Sequence, residues 1–569
     1  MTKIIYSLVY AISYISSLFQ SRSPASKAKE KRESVSALLP KEWLVSQSFL
    51  PDIENANVLK IHDACGIMTL KEIAITETKT IPDLLKAIHS GELTSFEVTV
   101  AFCKRAAISQ QLTNCCTELM FEDAMKRAKY LDDYFKTNGK PIGPLHGLPV
   151  SVKDSFKIPG YDATLGFVIN IGNATDEFSN LPELLYRQGC IFYVKTNVPQ
   201  YLMTLDSENI IFGRTLNPYN TGLTAGGSTG GEAALLKQHG SIIGFGTDIA
   251  GSVRIPALAC GIFALRPSCD RIPYGNQVEP VDLEDNSGYG IQCSAGPMAN
   301  SLEDIKFMFK AVLDTKPWTL DIDSKPIPFQ QSIYEQAVEK KELNIGYFVE
   351  DSSFPLQPPM KKSINESIAK LQAAGHNLIP IDIIPMKKIW THCNKAYLQD
   401  FGWGTMQNIW KTGELPIISL ALTMSEGRYA FPPPKLSGFT MSNYLLEREV
   451  IKRHFHSQFF DNSLDVLLCP AASFTAAKHD TYGVPIYTAV WNLVDFPALV
   501  VPLQNEDPLT VDNAAPISEY VKGDCSHMVA DYSPHDLVGS RGHVQLVGRT
   551  LEDEKLLGCA KTIEAILNA

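Results

Sequence analysis

The stretch "AGGSTGGEAALLKQHGSIIGFGTDIAGSVRIP" (225–256) sets Ser228, Ser241 and Ser252 among closely spaced glycines. A serine hydroxyl attacks a carbonyl only when a base takes its proton. Three chemistries compete for this pattern. A phosphate loop needs G-x-x-x-x-G-K-[ST], and no lysine follows Gly230 or Gly231, which removes it. A nucleophile elbow needs G-x-S-x-G, which Gly226-Gly227-Ser228-Thr229-Gly230 supplies. That reading makes Ser228 the attacking group and calls for a downstream histidine, of which His376, His479, His535 and His543 are available. The third reading uses the whole stretch. Thr229-x-x-Glu232 has the form of a capping box, so a helix is predicted from Gly230 through Leu236 and ended by Gly240. "SIIGFG" is then a buried strand, and "TDIAGSVRIP" a second glycine-rich turn. Backbone N–H groups converging in that turn would make an oxyanion hole, with Ser252 at its end as the attacking group.

The elements that must hold these residues follow from local patterns. "IPDLLKAIHSGELTSFEVTVAFCKRAAISQ" (81–110) predicts two helices separated at Gly91, the second capped at Thr94 with Glu97. A helix over 121–139 ends at Asn138-Gly139, and "GPLHGLPVSVKDSF" (143–156) turns into a short apolar strand. Residues 181–198 read as helix then strand, 343–350 as a strand before a helix at 360–375, and 463–472 as a strand stopped by proline. Helices alternating with short β-branched strands predict an α/β chain with a mixed or parallel sheet. Its 569 residues hold no linker or long charge run after about residue 40, which favours one large domain.

Composition excludes several classes of function. With 45% apolar and 20% charged residues the chain is an ordinary globular one. A net charge of −11 and the lack of a basic stripe argue against nucleic acid as a partner. The twelve cysteines are scattered, Cys115 and Cys116 are adjacent, and no CxxC occurs. Buried thiols in a reducing compartment are the plain reading. Residues 4–19, "IIYSLVYAISYISSLF", hold twelve apolar residues and four serines and are followed by Arg22, Lys27, Lys29, Lys31 and Arg32. The run is shorter than the roughly 20 residues of a spanning helix. It is a candidate membrane contact that would leave the body in the cytosol; the plainer reading is an apolar arm on a cytoplasmic protein.

Residues 226–268, together with "GPLHGLPVSVKDSF", resemble the amidase signature family. "LPKEWLV" (39–45), 114–149, 197–220 and "WNLVDFPALVVP" (491–502) narrow the resemblance to fungal acetamidases and general amidases. The resemblance covers roughly residues 35–569, so residues 1–35 are read as a dispensable N-terminal arm and 36–569 as the amidase domain. It implies an α/β/α sandwich around a large mixed sheet, and a Ser-Ser-Lys triad. The nucleophile falls on Ser252, the bridging serine, which follows a cis peptide in the family, on Ser228, and the base on Lys153. The N–H groups of Ile249, Ala250, Gly251 and Ser252 would form the oxyanion hole, and Leu202 and Met203 would line the substrate site. No metal or cofactor is implied, and the partner is a small-molecule amide.

Lysine acts as a base only when neutral, and burial beside the apolar "GLPVSV" would favour that form. Each residue also has a bland reading: Lys153 as a solvated strand end, Ser228 as a helix-start serine, Ser252 and Ser241 as turn residues. Only for Ser241 does the bland reading win. Arg254 is read as structural or as holding the Asp248 turn; Asn492 and Asp495 as pocket or core. Thr229 stands where the family commonly has serine, and Ala250 and Ala264 where it commonly has glycine. If position 250 needs a positive φ, alanine costs on the order of 1 kcal/mol there. The expected activity is hydrolysis of an amide to acid and ammonia through an acyl-Ser252 ester. The alternatives are an ammonia-delivering amidotransferase-type subunit, an inactive amidase-like binding protein, and the Ser-His-Asp hydrolase.

Overall fold

A computed structural model describes residues 23–50, 56–278, 291–420, 438–504, 507, 509–525 and 531–569. Residues 4–19 lie outside this set. Among the described residues no helix is long and apolar enough to cross a membrane.

The framework is one sheet of eleven strands. In chain order they are β1 (Cys116–Leu119), β2 (Pro149–Lys153), β3 (Ile191–Thr196), β4 (Ile243–Asp248), β5 (Phe263–Arg266), β6 (Ser294–Ala299), β7 (Asn344–Tyr347), β8 (Asn377–Pro380), β9 (Val466–Cys469), β10 (Ala498–Pro502) and β11 (His543–Val547). Across the sheet they run β1-β3-β2-β4-β6-β5-β10-β11-β9-β7-β8. The pairs β3/β2, β2/β4, β9/β7 and β7/β8 are parallel, and the rest are antiparallel. Every residue of β1–β6 and β9–β11 is buried, so both faces of the sheet are covered, as a parallel-containing sheet in an α/β fold requires. The exceptions are β7, half-buried at both ends, and the edge strand β8, with both ends exposed. The mixed sheet and its helices form a single domain over nearly the whole described chain, as expected.

The predicted helices form, some with a side-chain cap and some without. Thr94 and Glu97 close a reciprocal capping box at the start of Ser95–Thr113. Phe121–Asn138 ends on Gly139 in the left-handed region. The helix after Ser228 spans Gly230–Lys237, but no capping box forms there. Glu232 turns inward instead, accepting hydrogen bonds from Ser151 and, at 2.8 Å, from Thr196 Oγ1. Its exit is made by His239 with φ 55°, one residue before the glycine expected to end it.

The N-terminal stretch read as an arm contains a docked helix, Pro24–Ser36. Arg32 donates to the carbonyls of Ile211 and Ile210 at 2.7 and 3.0 Å, and Lys31 reaches Glu118 and Asp162. Tertiary contact thus extends at least to residue 24, ahead of the boundary drawn at 35.

Candidate active site

Lys153 is the last residue of β2 and is fully buried. Side chains alternate along a strand, so Ser151 and Lys153 share one face. The helix Gly230–Lys237 and its approach lie on that face: Ser151 meets Glu232, and Lys153 meets Ser228. Lys153 Nζ donates to Ser228 Oγ at 2.7 Å, and Thr247 Oγ1 lies 2.8 Å from the same nitrogen. Asp154, on the opposite face, accepts from Thr117 Oγ1 (2.8 Å), Thr164 Oγ1 (3.1 Å) and Leu165 N–H (2.7 Å), which fixes the end of the strand.

Ser228 follows a cis peptide from Gly227. A Cβ at Gly227 would lie 2.5 Å from Thr204 O, so the backbone there packs against the backbone of 204–205 with no room for a side chain. Thr229 N–H donates to Ser252 O at 3.2 Å and ties the serine-bearing loop to the second glycine turn. Lys153, Ser228 and Ser252 are thereby brought to one place, each nearly or fully buried.

The second turn leaves β4 at Asp248 and enters the helix Arg254–Cys260. Gly251 sits at φ 126°, and a Cβ there would lie 2.2 Å from Thr488 Oγ1. Only glycine fits on both counts. Asp248 organises the turn. Its carboxylate accepts Gly251 N–H (2.8 Å), Val253 N–H (3.2 Å), Arg254 Nε and Nη2 (2.9 Å each) and Asn492 Nδ2 (3.0 Å). Burial alone would raise this carboxyl, but the Arg254 charge and the donated hydrogen bonds hold it well below the usual carboxylate range. Arg254 is fully buried and also meets Asn492 Oδ1 at 2.6 Å and Gln545 Oε1 at 2.8 Å. Arg254 and Asn492 are therefore the scaffold of the turn. Asp495 serves elsewhere, pairing with Arg266 at 2.9 Å.

Two side chains aim the peptide planes of the turn. Tyr397 Oη donates to Ile249 O at 2.9 Å, and Thr488 Oγ1 to Ala250 O at 2.7 Å. In a trans peptide the N–H points opposite to its carbonyl, so Tyr397 directs the Ala250 N–H away from itself. Gly251 N–H is engaged by Asp248. Among the described residues the N–H groups of Ile249, Ala250 and Ser252 have no acceptor, which leaves three of the four expected donors for an oxyanion. Ala250 is not among the residues with positive φ; the left-handed position is Gly251 alone, so the strain anticipated at 250 is absent.

The other candidates fall apart from Lys153, Ser228 and Ser252. Ser241 Oγ donates to Ile243 O and lies against Ser151 Oγ, both at 2.8 Å. His479 lies against Asp206 (3.2 Å), His376 Nδ1 accepts from Leu343 N–H, and fully buried His543 is pushed down to about 3 by desolvation. Among the described residues no histidine meets Ser228, whose partner is Lys153, so the elbow lacks its base. Leu202 and Met203 are half-buried members of a second apolar cluster with Leu165, Phe167, Tyr201, Ile409, Ile417 and Leu420. Thr247, Tyr397 and Thr488 were not singled out from sequence. For Thr247 the signal was adjacency to Asp248 at the strand end; Tyr397 and Thr488 come from distant segments and carry no local pattern.

A family profile described as Amidase matches residues 97–557. An amidase of Gibberella moniliformis is 35% identical over 95% of this chain and 98% of its own. An acetamidase of Emericella nidulans is 33% identical over 95% and 97%. Among solved structures, a fatty acid amide hydrolase superposes with a TM-score of 0.86 at 28% identity, covering 99% of this chain and 96% of that one. With the fold, the glycine turns and these likenesses in agreement, the chain belongs to the amidase signature family of amide hydrolases.

Proposed function

We propose that the chain is a serine amidase that converts a carboxylic acid amide and water to carboxylate and ammonia through an acyl-Ser252 ester. The observation that carries this reading is the 2.7 Å contact from buried Lys153 Nζ to Ser228 Oγ, with Ser228 tied through its neighbour to Ser252. Neutral Lys153 takes the proton of Ser228 Oγ as Ser228 takes that of Ser252 Oγ; a hydroxyl both donates and accepts, as a relay needs. Ser252 Oγ then bonds to the amide carbon and the carbonyl π pair moves to oxygen. The N–H groups of Ile249, Ala250 and Ser252 meet that oxyanion. Collapse breaks the C–N bond, and the proton held by Lys153 returns through Ser228 to the departing nitrogen. Water, deprotonated through the same relay, cleaves the ester and frees Ser252.

Twelve free thiols fit a reducing, cytoplasmic setting. The complete triad favours a working enzyme over a binding relative. The test is ammonia release from a series of primary amides, with mass spectrometry of fluorophosphonate-labelled protein. The adduct is expected on the peptide carrying Ser252. An adduct on Ser228 would return the nucleophile to the elbow position.

A further inference from the structure

Ser228 sits in the middle of the loop 226–230, and one side chain from another segment holds both ends of that loop. Ser207 is fully buried. Its Oγ donates to Gly226 O at 2.9 Å and accepts Gly230 N–H at 3.0 Å. A single hydroxyl thus spends its donor and an acceptor on two backbone groups that bracket Ser228. Gly230 opens the helix Gly230–Lys237, whose own N-cap side chain makes no hydrogen bond. The orphan N–H at the start of that helix finds its acceptor in Ser207 instead. The approach depends on glycine, because a Cβ at Gly230 would lie 2.5 Å from Ser207 Oγ.

The preceding residue completes the grip. Asp206 Oδ1 accepts Thr224 Oγ1 at 2.7 Å, and Thr224 Oγ1 accepts Gly226 N–H at 2.9 Å. Asp206 is buried and is fixed in turn by Asp480 N–H at 3.0 Å, with His479 Nδ1 3.2 Å away. Gly226 is therefore held at its N–H through Thr224 and at its C=O by Ser207. The turn bearing Ser252 is organised separately, by Asp248 and Arg254. Among the described residues, neither Asp206 nor Ser207 hydrogen-bonds to that turn.

We propose that Ser207 is a positioning residue for catalysis: with Thr224 as its counterpart on Gly226, it keeps Ser228 Oγ at the 2.7 Å from Lys153 Nζ that proton transfer needs. The inference rests on the amidase reading above. A hydroxyl displaced by about 1 Å leaves hydrogen-bond reach, and a misplacement of that size can cost about a hundredfold in rate. Ser207 acts through Ser228, so its effect should vanish once the Ser228 hydroxyl is gone.

The test is the rate of Ser252 labelling by a fluorophosphonate over a range of reagent concentrations, read by mass spectrometry. It compares wild type, Ser207→Ala, Ser228→Ala and the double variant, with thermal melts of each. Ser207→Ala is expected to lower the saturating rate about a hundredfold and to leave the half-saturating concentration within about twofold. In the Ser228→Ala background the same substitution should cost less than about threefold. Thr224→Val keeps the side chain's shape and removes the acceptor of Gly226 N–H; it should slow labelling with the same dependence on Ser228. Thr224→Ser keeps the hydroxyl and should stay within about threefold of wild type. If Ser207→Ala does not fold, the two Thr224 variants are read in its place. An equal loss in both backgrounds overturns the proposal, since the substitution would then act on the whole protein or on Ser252. So does a Ser207→Ala rate within about threefold of wild type, or a loss confined to the half-saturating concentration. A wild type that takes no fluorophosphonate on Ser252 would break the amidase reading itself, and the proposal with it.

Discussion

Lys31 Nζ lies 2.9 Å from Asp162 Oδ2 and 2.5 Å from Glu118 Oε1, and both carboxylates are nearly buried. The helix that carries Lys31 therefore pairs with two acids, of which Glu118 interacts electrostatically with Asp154, the residue after Lys153. Removing one partner of such a group leaves buried charge uncompensated, at a cost of about 3–5 kcal/mol. Lys31→Met, and a chain beginning at Leu38, are expected to lose stability of that order in urea denaturation. A chain beginning at Ser23 should keep wild-type stability and kcat. Equal stability of all three would show that the bridge contributes nothing.

Neighbouring positions in the second turn should respond in opposite ways. Gly251→Ala places a methyl against Thr488 at a φ that alanine avoids, and should lower kcat by about two orders of magnitude or more by displacing the oxyanion donors. Ala250→Gly relieves no strain, because Ala250 has no positive φ. It should leave kcat within about twofold and cost about 0.5–1 kcal/mol through added backbone freedom in the unfolded chain. A large rise in kcat for Ala250→Gly would overturn this account.

Glu232 sets a slope of stability with pH. Burial pushes its carboxyl from the ordinary 4.5 to about 8, against the hydrogen bonds from Ser151 and Thr196. The folded chain keeps this proton where the unfolded chain releases it. Stability contributed by the protonated acid is therefore complete below about pH 4.5 and is lost as the pH rises toward 8, by an amount on the order of a few kcal/mol. Glu232→Gln should flatten that slope in chemical denaturation at pH 5, 7 and 9. An unchanged slope would mean another group carries it.

The triad should behave as one unit. Ser252→Ala should abolish covalent labelling, and Ser228→Ala should cost several orders of magnitude in kcat while permitting slow acylation through a water beside Lys153. The double variant should be no worse than Ser252→Ala alone. Strictly additive losses, measured by single-turnover kinetics, would show that the two serines act independently.

Where a feature depends on near neighbours, the sequence carried it. The box at Thr94 and Glu97 and the stop at Gly139 formed as the spacing required. Thr229 and Glu232 have the same spacing and form no box, because Ser151 and Thr196 on the sheet beneath offer Glu232 a buried partner. The three positions proposed for the triad come from the resemblance, and the structure adds the buried Lys153–Ser228 contact. The groups that aim the second turn were not legible. Tyr397 and Thr488 lie 148 and 238 residues beyond the atoms they hold, and no periodicity links them to it; Asn492 is singled out by the sequence, but only as pocket or core.

The proposed base and the proposed nucleophile leave adjacent strands. Lys153 ends β2, and the turn bearing Ser252 starts from β4, its parallel neighbour, registered at Ser151–Gly244 and Val152–Phe245. Thr247, one residue from the end of β4, also touches Lys153. A rigid-body movement of this hydrogen-bonded pair of strands carries Lys153, Thr247 and the root of the Ser252 turn together. Sliding of β2 against β4 would instead change the Lys153–Thr247 distance, so the length of the proposed proton path is set by the register of a single strand pair.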